Sequence, residues 1–112
     1  MKKRMVRQGD ILVMSAPKSA SKGMVPAPVD ARGVVLAEGE ATGHCHKITD
    51  PNVCLLRREG AGFDFDQILQ VGAPSQLVHD EHSTIELSPG TYTVRRQREY
   101  DWLSASSLAV AD

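Results

Sequence analysis

Rings and sulfur are scarce in this chain. Two Phe, two Tyr and one Trp are its only aromatic residues, so a core has to be assembled from Val, Ile, Leu, Met and Ala. There are two cysteines, Cys45 and Cys54, and no CxxC motif. A small secreted scaffold held by disulfides usually carries four or more, so both read as reduced thiols of a cytosolic protein. Long apolar runs are absent too. Ile11 to Met14 is a run of four, far short of the ~20 residues that cross a bilayer. The basic start Met1-Lys2-Lys3-Arg4 looks like the front of a signal peptide, but Arg7-Gln8-Gly9-Asp10 interrupts what would be its apolar region. The expectation is a cytoplasmic protein with no membrane partner. Neither GxxxxGK[ST] nor GxGxxG occurs, and no Ser sits in a nucleophile elbow.

What is present fits one soluble domain over 1–112, with 41% apolar and 24% charged residues. The net charge of −1 is unevenly spread. Residues 1–32 hold seven basic and two acidic groups, a balance of +5, and the rest hold six basic and twelve acidic, a balance of −6. A basic arm of this kind reads first as a solvated segment and second as a surface for an anionic partner such as nucleic acid.

Short apolar runs punctuated by turn residues follow one another along the chain. Ile11–Met14, Gly33–Glu38, His44–Ile48 and Val53–Arg57 read as strands, and Phe63-Asp64-Phe65-Asp66 alternates as a half-buried strand does. Ile68 to Val71 and Gln76 to Val78 continue the pattern. Residues 83–87 and 91–98, around Ser88-Pro89-Gly90, read as a hairpin. Residues 15–31 form a long loop, and a short polar tail begins at about 103. No amphipathic helix of useful length is visible. The fold class expected is all-β: a small antiparallel sandwich, roll or barrel of seven to nine short strands. Cys54, after a Pro-Asn turn, is expected to fill the core. Arg95-Arg96-Gln97-Arg98, near Tyr92, Tyr100 and Trp102, is expected to be a charge-protected edge strand, the alternative being contacts to phosphates.

All four histidines fall into two tight groups, Gly43-His44-Cys45-His46 and His79-Asp80-Glu81-His82. Side chains two apart on a strand share a face, which pairs His44 with His46 and turns Cys45 away. In the second group extended backbone would pair His79 with Glu81, and a turn would pair His79 with His82. A set of three or four imidazoles, with a carboxylate nearby, suits one divalent transition metal: Zn, Fe, Mn, Ni or Cu. His44, His46, His79 and His82 are therefore the expected ligands. Glu81 is the candidate fifth ligand or catalytic acid–base group, and an open coordination position would accept a small-molecule ligand. The competing expectation is a non-enzymatic assembly protein, a homo-oligomer or partner-binding domain, in which any metal is structural. A site closed by four protein ligands argues structure, and three ligands beside a cavity argue chemistry.

The pattern His44-x-His46, a later histidine and Leu87-Ser88-Pro89-Gly90-Thr91-Tyr92 resembles the two histidine motifs of cupins, over residues 39–94. That resemblance implies a small β-barrel with one metal ion on the HxH pair, a Glu and a later His. Two features depart from it. Lys47, Ile48, Thr49 and Asp50 stand where the cupin Glu would follow, and His79 and His82 precede Pro89-Gly90 instead of following it. The chain is also similar to small bacterial proteins of no assigned activity that carry GHxH, HxEH and QREY. Gly43-His44-Cys45-His46, His79-Asp80-Glu81-His82 and Gln97-Arg98-Glu99-Tyr100 match these motifs.

Overall fold

A computed structural model describes residues 4–38, 44–63 and 65–97. Among them are ten strands: β1 (Met5–Gln8), β2 (Ile11–Ser15), β3 (Val25–Pro26), β4 (Val34–Glu38), β5 (Cys45–Ile48), β6 (Val53–Arg57), β7 (Gln67–Val71), β8 (Ser75–Leu77), β9 (Ile85–Leu87) and β10 (Gly90–Arg96). A single 3-10 turn, Lys18–Ser21, is the only helical element among the described residues. The all-β expectation holds, with more strands than the seven to nine expected. β1 and β3 are the additions: Arg7 and Gln8 conceal β1, which is buried along most of its length, and β3 lies within the expected loop.

Six strands form one antiparallel sheet in the order β1-β2-β10-β7-β6-β3. The order runs from one edge strand to another, so the sheet is open and not a closed barrel. The ribbons β4-β5 and β8-β9 form a second layer. They are joined by a two-way bridge in which Lys47 N–H donates to Val78 O at 3.0 Å and Val78 N–H donates to Lys47 O at 2.9 Å.

Register shows how the core is built. On one face of the large sheet, Val6, Val13 and Val94 lie in one row, and Leu55, Leu69 and Tyr92 in another. Val34, Leu36, Ile48, Leu77 and Leu87 from the ribbons close over them as one cluster. Aliphatic branched side chains supply nearly all of it, as the shortage of rings requires; burying each contributes about 1.5–3 kcal/mol. Tyr92 is the exception, and its hydroxyl donates to Ser88 O. One step further along the same face the row reads Gln8, Ile11, Arg96. The apolar face of the sandwich therefore ends in two polar side chains, and the histidines gather there.

Four local expectations are corrected. Residues 83–87 and 91–98 do not form a hairpin: β9 pairs with β8, and β10 pairs with β2 and β7. Ser88-Pro89 is a corner that carries the chain from one layer to the other. β10 is consequently an interior strand and not an edge, and its charges are met locally: Arg95 by Asp66 at 2.9 Å, Arg96 by Asp10 at 2.9 Å. Phe63, Phe65 and Asp66 lie outside the strands, and Asp64 lies outside the described residues. The Phe65 amide donates back to Gly62 O, the Phe65 ring is 62% exposed, and Phe63 lies under the Arg57 guanidinium. Cys54 is exposed on β6, while Cys45 is buried; both are free thiols. Within residues 15–31, Ser15 closes β2, Lys18–Ser21 form the 3-10 turn, and Val25–Pro26 pair with β6. Gly43, Arg98, Glu99, Tyr100, Trp102 and the tail from 103 lie outside the described residues.

Candidate metal centre

Two loops and a strand end build the site. β5 carries His46, with His44 just before it. The Lys47–Val78 bridge brings the chain after β8 alongside, so that His79 follows directly. A bend then returns His82 to the same side. Across the gap stands the β1–β2 turn, Gln8-Gly9-Asp10.

All four rings come together. The His46 and His79 centroids lie 4.4 Å apart, His79 and His82 4.6 Å, His46 and His82 6.1 Å, and His44 and His79 5.9 Å. His44 and His46 therefore share a face, as the spacing implies, and the second group adopts the turned arrangement that pairs His79 with His82. Burial is graded: His46 is 1% exposed, His79 half-buried and His82 open to solvent. Gly9 makes the close approach possible. It has φ +58°, in the left-handed region. A Cβ there would stand 2.5 Å from His82 Nε2 and 3.3 Å from His46 Cε1.

Gln8 ties the two histidine segments together. Its Nε2 donates to Leu77 O and Ser83 O, each at 2.9 Å, which pins both ends of the bend. Those two carbonyls permit only one orientation of the amide, so Oε1 accepts from Nδ1–H of His46 at 2.9 Å. The other ring nitrogen, Nε2, faces Asp10 Oδ1 at 3.1 Å. A carboxylate oxygen and a bare imidazole nitrogen repel, so a proton or a cation has to lie between them. Asp10 is otherwise braced: Arg96 Nε donates to Oδ2 at 2.9 Å, and Gln97 N–H donates to its backbone oxygen at 2.7 Å. Partial burial pushes the Asp10 carboxyl up. Hydrogen bonds from His46 and Arg96, with their charges, outweigh this and hold it at about 2.

His79 accepts the Glu81 backbone N–H at its Nδ1, 3.0 Å away, which leaves Nε2 as the nitrogen able to serve as a ligand. Desolvation, with the neighbouring His46 and His82, lowers its pKa, so it stays neutral and able to coordinate at neutral pH. Glu81 turns its exposed carboxylate to His44 Nδ1 at 3.1 Å. Cys45 is buried away from the site, as the alternation on β5 requires.

The chain belongs to a family described as a domain of unknown function. The model of that family, DUF8820, matches residues 7–97 and so takes in Gln8, Asp10, all four histidines and Arg96. No curated protein and no solved structure matches this DUF8820 chain.

Three imidazoles on one ion, with metal–nitrogen distances of ~2.0–2.1 Å, hold their ring centroids about 4.5 Å apart at right-angled ligation and about 5.2 Å apart at tetrahedral ligation. His46–His79 and His79–His82 are at 4.4 and 4.6 Å, while His46–His82 is wider at 6.1 Å. Among the described residues no three His, Cys, Asp or Glu side chains already converge as ligands. Closing the site therefore requires the exposed His82 ring to swing inward. The residues that sequence reasoning missed are Gln8 and Asp10. They read as ordinary turn-flanking polar residues, and only pairing of β1 with β2 puts them against β5.

Proposed function

We propose that this DUF8820 domain is a metal-binding β-domain whose site is the histidine cluster, with His46, His79 and His82 as its inner ligands and His44 at the rim. One observation carries the reading: three rings from two distant segments stand near the spacing of ligands on one ion, and the most buried of them has its tautomer fixed. Gln8 occupies Nδ1 of His46, so the lone pair left for a metal is on Nε2, the arrangement that orients ligating histidines in metalloproteins. Three nitrogen ligands with a solvent-open side fit a divalent transition ion such as Zn, Fe, Mn, Ni or Cu that retains a position for water or a small molecule. Glu81, hydrogen-bonded to His44 and exposed, orients that outer histidine. The two free thiols fit a reducing, cytoplasmic setting. No helix among the described residues is long and apolar enough to cross a membrane.

Elemental analysis of protein purified without chelator, followed by Co2+ titration of stripped protein, tests the proposal. The expected result is about one ion per chain and a visible cobalt spectrum, with both abolished in the His46→Ala, His79→Ala double variant. Absence of bound metal together with a featureless cobalt titration contradicts it.

A further inference from the structure

We infer that Asp10 supplies an oxygen ligand to the same ion, making the site a mixed nitrogen–oxygen one. The inference rests on the metal-binding reading and adds a residue that the histidine pattern does not contain.

The argument begins with the two nitrogens of His46. Both are occupied, Nδ1 by Gln8 and Nε2 by Asp10. An incoming ion has to displace one partner. Displacing Gln8 would strand a buried amide oxygen whose nitrogen is locked onto Leu77 O and Ser83 O, which costs about 1–3 kcal/mol. The ion therefore enters on the Asp10 side. There Asp10 Oδ1 and His46 Nε2 are 3.1 Å apart. Adjacent ligands on one ion, each at ~2.0–2.2 Å, are about 3.0–3.4 Å apart. The pair is already at that spacing, and the ion takes the place of what bridges them.

For Asp10 to withdraw, it would have to break the Arg96 bond to Oδ2 at 2.9 Å. Arg96 is itself anchored, its Nη2 donating to Glu38 O at 3.2 Å. Oδ2 is thus committed to Arg96 and Oδ1 is left for the ion, so the ligation is monodentate. A carboxylate beside imidazoles also selects among metals. It favours borderline and harder divalent ions such as Zn2+, Fe2+, Co2+ and Mn2+ over soft Cu+.

Two measurements test this on the full chain. In the first, Co2+ affinity is compared for wild type, His46→Ala and Asp10→Asn, where Asn keeps an oxygen for Arg96 but loses the charge. The expected loss for Asp10→Asn is thirtyfold or more. In the second, the side-chain carboxyl 13C resonance of Asp10 is followed in wild type during Zn2+ titration, and it is expected to move until one equivalent is bound. Wild-type affinity in Asp10→Asn overturns the inference, and so does an unmoved Asp10 carboxyl resonance in zinc-saturated wild type. If circular dichroism shows that Asp10→Asn does not fold, the carboxyl resonance alone decides. A wild type that binds neither ion overturns the metal-binding reading and this inference together. Wild-type binding that is lost in His46→Ala but kept in Asp10→Asn removes only the inference.

Discussion

Gln8 concentrates the logic of the site in one side chain. Its amide nitrogen serves two carbonyls and its oxygen sets the His46 ring. Gln8→Leu keeps the volume and removes all three bonds. The Leu77 carbonyl and the His46 ring N–H then lose buried partners, each a penalty of about 1–3 kcal/mol before the local structure relaxes, while the exposed Ser83 carbonyl can turn to water. The expected loss is about 2–4 kcal/mol in urea unfolding of the metal-free protein. Orienting partners of ligating histidines typically govern affinity tenfold to a hundredfold, and a fall in that range is expected in Co2+ titration. An unchanged urea midpoint would mean that the amide does not hold the bend. Little of this could be read from the chain. The histidines announce themselves by residue type and spacing, whereas Gln8 and Asp10 matter through contacts with residues far along the sequence.

At the scale of elements, the bridge between β5 and the end of β8 is the hinge of the arrangement. Val78 donates to and accepts from Lys47, and the next residue is His79. Val78→Pro removes the donor while tolerating the extended backbone. It is expected to cost about 1–3 kcal/mol and to lower Co2+ affinity about tenfold, whereas Val78→Ala, which keeps the N–H, holds wild-type affinity. Equal affinity in both variants would show that the bridge does not position His79. The same elements explain what was legible. β2, β4, β6 and β7 are largely apolar runs bounded by turn residues, and local composition suffices to find them. The hairpin expected around Ser88-Pro89-Gly90 fails because alternation in β9 and β10 reveals strands but not their partners. Interior β10 carries Arg95 and Arg96, which look like edge protection until Asp66 and Asp10 are seen to answer them. Phe63 to Asp66 has the strand period in sequence, yet the Phe65 amide bonds back to Gly62 O.

For the whole molecule, few rings and short strands give a two-layer sandwich whose aliphatic rows run out at Gln8, Ile11 and Arg96. The histidines, Asp10 and their bracing side chains occupy that end, joining the β1–β2 turn of the large sheet to both ribbons of the second layer. An ion bound there would clamp the two layers together, and its binding energy would appear as folding stability. A ligand at a hundred times its dissociation constant adds about 2.7 kcal/mol, and each kcal/mol moves the midpoint of a domain this size by roughly 4–8 °C. The most direct test is thermal unfolding of chelator-stripped protein with and without saturating Zn2+, alongside the His46→Ala, His79→Ala double variant. The account predicts a rise of about 10 °C or more in wild type, reversed by chelator and absent in the variant. Superimposable wild-type melts with and without the ion would contradict it.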